Sequence, residues 1–148
     1  MTQSRMFRSV HLMAAGVAPF AAGALAACLG WSRVPGLGAV TPWFDAYGLV
    51  IAAFMAGTLW GRAAPEGTDE NRTILLVSNV VALALWAGAA LTSGKTLELL
   101  LAAAFLALLA VERALNEALA YPQPYRRARL AVTTSVVACL LLHAALQS

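Results

Sequence analysis

Five apolar stretches, each close to the length of a membrane span, dominate this chain: roughly Val10–Gly30, Pro42–Gly61, Ile74–Leu91, Leu97–Ala118 and Leu130–Leu146. A helix needs about 20 mostly apolar residues to cross the hydrocarbon core of a bilayer. In lipid, each backbone donor and acceptor has to be satisfied within the segment, so these stretches are expected to be helices. Strands of an outer-membrane barrel would alternate in polarity over about ten residues, and no such alternation runs through the sequence. Composition agrees: 61% of residues are hydrophobic and only 11% are charged, against roughly 25% charged in a soluble domain. That leaves too little polar surface to keep a compact globule in water. The expectation is an all-α polytopic membrane protein, one integral membrane domain over residues 1–148, folded as a five-transmembrane-helix bundle.

The net charge of +3 is distributed as a topology signal. With five spans, the N-terminus, the second loop and the fourth loop share one side, which collects Arg5, Arg8, Arg62, Arg72, Arg126, Arg127 and Arg129. The other side has Arg33 and Lys95. Positive charge marks the cytoplasmic face, so the N-terminus is expected in the cytoplasm and the C-terminus in the periplasm of a bacterial inner membrane. Arg126, Arg127 and Arg129 are candidates for contact with anionic lipid headgroups. No basic stripe with interleaved aromatics suggests nucleic acid. The first residues, "MTQSRMFRSVHLMAAGVAPFAAGALAAC", resemble a secretory signal, and "LAAC" resembles a lipoprotein cleavage box. The expectation is a retained first helix.

The first outer loop, "WSRVPGLGAVTPWF", holds Pro35, Gly36, Gly38 and Pro42 and is expected to turn. Trp31 and Trp43 beside it, with Trp60 and Tyr125 at the other face, suit interfacial anchors. Ala53, Gly57 and Gly61 form a small-residue stripe on span two, and Ala15, Gly23 and Ala27 form one on span one. Small faces let helix backbones approach closely in lipid. Packing within the chain is the expected use, with self-association or another membrane subunit as the alternative. Pro19 lacks a backbone donor and is expected to kink span one.

The polar residues worth testing gather at the cytoplasmic end of span four. Glu112 and Asn116 lie four apart, as do Arg113 and Glu117, so each pair stacks on one helix face. A carboxylate at the depth of Glu112 needs a partner or water. His11 and Asn79 complete the candidate polar site, and Thr58, Arg62, Ser78, Thr133 and Thr134 reach a similar depth. The alternative is a helix end whose charges reach out to the interface. Cys28, Cys139 and His143 fall toward the outer side, but their spacing is too weak to nominate a metal. Asp45 and Glu98 read as outer-surface acids, solvated or paired with Arg33 or Lys95. No phosphate loop, hydrolase elbow or zinc motif is present, so no catalytic residue and no cofactor is assigned.

Several landmarks recur in one order: "AAGVAPF", "DAYGLVIAAFMAGTLWG", "SNVVALALW", an acid near the inner end of span four, then "YPQPYRRARLAVTTSVVA". Together they resemble the uncharacterised five-helix membrane family known as domain of unknown function 3429, which is transmembrane protein 69-like and includes mitochondrial and many proteobacterial proteins. The resemblance is carried by Pro19, Phe20, Tyr47, Phe54, Gly57, Trp60, Gly61, Trp86, Glu112, Tyr125 and Arg129. The chain departs from it at Leu59, where the family often has histidine, at Asn79 in place of a proline, at Glu112 in place of aspartate, and at Pro124 in place of an aromatic. A role resting on that histidine would not transfer. The resemblance implies an inner or mitochondrial membrane, where energy-converting complexes reside.

These readings lead to a non-enzymatic inner-membrane protein, an accessory or assembly subunit of a larger energy-converting membrane complex. The alternative is a small carrier or membrane enzyme with a polar site for a proton, a cation, a quinone or a lipid around Glu112. The expected partners are the bilayer and other integral membrane subunits or a second copy.

Overall fold

Pro19 decides where the first helix begins. Its ring fixes φ and removes a donor, which suits the first turn of a helix and not its interior. In the computed structural model, which describes residues 13–36, 38–61, 69–114 and 122–147, helix α1 runs Ala18–Cys28. A helical turn at residues 13–15 precedes it, separated by a turn at Gly16 and Val17. The expected irregularity falls at this turn, through which Val17 keeps a right-handed helical backbone. The freed carbonyl of Gly16 accepts a hydrogen bond from the Tyr47 hydroxyl at 2.9 Å. At the other end Gly30 adopts φ +70°. Trp31 donates to the Ala26 carbonyl and Gly30 to that of Ala27, a Schellman closure that uses glycine's freedom at positive φ.

The outer loop contains a short antiparallel pair, β1 (Arg33–Val34) and β2 (Gly38–Ala39), that the turn residues alone did not foretell. Gly36 and Gly38 both hold positive φ there. Four helices follow among the described residues: α2 (Val40–Trp60), α3 (Asp69–Leu91), α4 (Lys95–Ala114) and α5 (Gln123–Leu146). The sequence put the last span at Leu130. Pro122 instead caps a helix that starts at Gln123, with Pro124 in its first turn. Arg126, Arg127 and Arg129 thus lie on α5 rather than in a loop.

Each helix packs against its neighbours in sequence, α1 closes the ring against α5, and α2 crosses the middle to meet α4. The packing is tight where glycines allow it. A Cβ on Gly23 would lie 2.2 Å from a ring carbon of Phe44, and one on Gly48 would lie 2.8 Å from Leu101. Phe20, Phe44 and Phe105 are fully buried and meet edge to face, with centroids 5.8 and 6.0 Å apart. They join α1, α2 and α4 in one core, which Leu101 and Leu140 complete. A second cluster of Ala56, Leu59, Ile74 and Leu108 seals the other end of α2, α3 and α4. Ser78 donates to the Ala56 carbonyl at 2.6 Å and clips α3 to α2.

Burial is reversed relative to a water-soluble protein. Trp86 is 71% exposed and Phe54 68%, whereas Glu98 is fully buried. Asp45, Glu112, Arg129 and His143 are buried as well. Apolar side chains turned outward are a liability in water and the natural surface in lipid. Helices α2, α3 and α5 are long and apolar enough to cross a membrane. Helix α4 has the length, but Lys95, Glu98, Glu112 and Arg113 interrupt its hydropathy. Its two glutamates face protein, so the lipid-facing side of α4 is more apolar than its sequence suggests.

Candidate functional site

Helix α4 carries two buried carboxylates, Glu98 in its first turn and Glu112 near its end. At about 1.5 Å per residue they sit roughly 21 Å apart along the axis. Helix α5 runs beside α4 in the opposite sense and presents Arg129 and His143 at the same spacing. Each glutamate therefore meets a basic partner, and the two helices are fastened at both ends.

At the inner end, Arg129 donates from Nε to Glu112 Oε2 at 2.8 Å and from Nη2 to Oε1 at 3.1 Å. This two-pronged geometry is what a guanidinium offers and an ammonium does not. Its Nη1 donates to the Met55 sulfur at 2.7 Å, which brings α2 into the cluster. A cleft of about 290 Å³ opens beside the pair, lined among others by Arg113, Gln123, Arg126 and Arg127. Arg113, Arg126 and Arg127 are exposed there.

The structure rearranges the polar site expected from the sequence. Glu112 is its centre, with Arg129 as partner. Arg129 was expected at lipid headgroups, but it is buried and both its Nε and Nη2 are spent on Glu112. Asn79 is exposed on α3 and donates to its own helix, at the Leu75 carbonyl, because its position on α3 points away from α4. Thr58 and Thr134 likewise bond back to carbonyls of their own helices. His11 and Asn116 lie outside the described residues. Among the interface anchors, Trp31 and Trp60 are exposed. Trp43 is half-buried against the core, and Tyr125 is half-buried at the Glu112 end.

Among the described residues, nothing covers the stripe of Ala53, Gly57 and Gly61. All three residues are exposed, and a Cβ on Gly57 would meet nothing within 4 Å. On α1 the corresponding stripe is used at Gly23, where Phe44 takes the space a side chain would need.

The outer cluster is the larger correction. Asp45 and Glu98 are not solvated acids paired with Arg33 or Lys95. Asp45 accepts from the backbone N–H of Gly94 at 2.9 Å, just ahead of α4. Glu98 Oε1 shares a hydrogen bond with His143 Nδ1 at 2.8 Å and accepts from Gln147 Nε2. Asp45 and Glu98 are neighbours, close enough for each carboxyl group to act on the other. Asp45 Oδ1 and Glu98 Oε2 are both buried without a donor. The N-terminus of α4 favours negative charge, which explains why two acids gather there. The His143 ring stacks on Phe44 with centroids 4.3 Å apart.

Outward apolar faces, a buried Glu112–Arg129 ion pair and, among the described residues, three helices both long and apolar enough to cross a membrane point to an all-helical membrane protein. The chain belongs to the protein family of unknown function DUF3429, whose family model matches residues 7–145. No curated protein and no solved structure matches it.

Proposed function

We propose that the protein is a non-enzymatic inner-membrane subunit, an accessory or assembly partner of a larger energy-converting complex. In this reading the bundle spans the membrane five times, with the N-terminus cytoplasmic and the C-terminus periplasmic. The observation that carries it is the open stripe of Ala53, Gly57 and Gly61 on α2. A small-residue face admits a neighbouring backbone, and in lipid such close contact drives association. Glu112 with Arg129 and Glu98 with His143, by contrast, are paired inside the bundle, as expected of a structural core. Arg126 and Arg127 remain exposed for anionic headgroups.

The test is native extraction followed by blue-native electrophoresis. The expected result is migration in an assembly larger than the chain, shifted to the free form by Gly57→Leu. Migration of the unaltered chain only as a free monomer, with nothing co-purifying, overturns the proposal. A second reading makes the protein a carrier or membrane enzyme acting through Glu112. The cleft beside Glu112 favours it. It stands second because Arg129 engages both carboxylate oxygens.

A further inference from the structure

A second cavity of about 350 Å³, which shares Tyr125 and Arg129 with the cleft beside Glu112, is lined by α2, α4 and α5 and reaches Met13 and Gly16. Its wall is mainly apolar: Ile51, Phe54, Phe105, Val132 and Val136 contribute to it. Its size falls at the lower end of the range for small-molecule sites, roughly 300–1,000 Å³. Four polar side chains interrupt the wall: Thr58, which bonds back to the Met55 carbonyl at 2.7 Å, Tyr125, and two buried groups, Thr133 and Arg129. Thr133 is 1% exposed, and its hydroxyl has no hydrogen-bond partner. Thr134, the next residue, turns its hydroxyl back to the Leu130 carbonyl at 2.9 Å; Thr133 makes no such bond. A buried hydroxyl left unpaired costs about 1–3 kcal/mol, so its donor calls for an acceptor. The second group is Arg129, whose Nη1 is directed to the Met55 sulfur, a weak acceptor.

We propose that this cavity binds one neutral amphiphile, its apolar body against Phe54, Phe105 and Val136 and a carbonyl oxygen of its head accepting from Thr133 Oγ1 and Arg129 Nη1. The head is neutral because Glu112 already balances the charge of Arg129; an anionic head would face that carboxylate. Two membrane components carry this chemistry, a quinone and an ester-linked neutral lipid. The site goes beyond the accessory role, since a subunit in a larger complex and a free protein would hold the same cavity.

The full chain, purified in an ester-free maltoside, is titrated calorimetrically with four probes: a decyl-substituted benzoquinone, a short-chain diacylglycerol, decylbenzene and dodecyl phosphate. Saturable binding of the quinone or the diacylglycerol, at one per chain, is expected, and which of them binds identifies the source. Thr133→Val should weaken it about tenfold, the scale of one hydrogen bond, and Thr133→Ser should restore it. Unfolding curves for both variants confirm that the bundle is intact. The proposal is overturned if neither carbonyl probe saturates, if decylbenzene or dodecyl phosphate binds as well, or if folded Thr133→Val binds like the unaltered chain.

Discussion

Arg129 holds Glu112 through two parallel hydrogen bonds, 2.8 and 3.1 Å long, with neither side chain open to solvent. Removing one partner of such a pair leaves a buried charge uncompensated, at a cost of about 3–5 kcal/mol. Replacing both with neutral groups of similar volume is often close to neutral. Glu112→Gln and Arg129→Met are each expected to lower stability strongly, and the double variant to recover most of the loss. Arg129→Lys should not rescue, because an ammonium cannot match both oxygens. Denaturant unfolding in mixed micelles gives the four corners of the cycle. Additive losses would show that the two residues act independently.

Two glycines on opposite sides of the bundle should respond in opposite directions to alanine. At Gly23 the added methyl lies 2.2 Å from Phe44. That ring is fixed between Phe20 and His143, so it cannot retreat, and overpacking costs about 1–3 kcal/mol. The gain in helix propensity, about 1 kcal/mol, does not offset the upper part of that range. At Gly57 the methyl meets nothing, and only the propensity gain remains. Thermal unfolding of the isolated chain should fall for Gly23→Ala and hold or rise for Gly57→Ala. A loss at Gly57 in the isolated chain would mean its face is occupied within the bundle.

Tyr47 ties α2 to the turn ahead of Pro19 through one hydrogen bond to the Gly16 carbonyl. Tyr47→Phe keeps the ring against Phe20 and removes only the hydroxyl. A loss of about 1 kcal/mol is expected, with faster amide exchange in α1. Unchanged exchange there would show that Phe20 packing alone holds α1.

The helical class was legible because apolar run length is a direct reading of what a bilayer requires. Helix ends were less so. The last span was started at Leu130, although Pro122 and Pro124 both suit a helix start, and this hid the fact that Arg126, Arg127 and Arg129 ride on α5. Once Arg129 was counted among loop cations, its pairing with Glu112 was lost as well. A signal was present: the acids on α4 and the bases on α5 share one spacing, as partners on an antiparallel hairpin must. Asp45 and Glu98 were misread for a different reason. Acids near the end of a span look solvated in one dimension, and only the contact of α2 with α4 shows that the bundle covers them. The openness of Gly57 also depends on which helix lies opposite, which small-residue spacing does not encode.

The two glutamates of α4 provide the sharpest contrast, since one substitution should act on them with opposite sign. Glu112 faces a cation, so glutamine removes the charge that Arg129 requires. Glu98 faces His143 and Gln147 through Oε1, which a glutamine carbonyl oxygen can replace. Its other oxygen, Oε2, is buried without a donor, as is Oδ1 of the neighbouring acid Asp45. An amide nitrogen in that place donates to Asp45 and relieves the contact of two acids. Glu98→Gln is expected to match or exceed the stability of the unaltered chain, by up to about 1 kcal/mol for the new hydrogen bond. Glu98→Ala should lose stability, because it leaves His143 and Gln147 without their acceptor and opens a cavity. Unfolding of Glu98→Gln, Glu98→Ala and Glu112→Gln under one set of conditions decides the matter. If Glu98→Gln falls as far as Glu112→Gln, the outer cluster depends on a full negative charge at Glu98, and its physical account must change from an acid pair to an ion pair with His143.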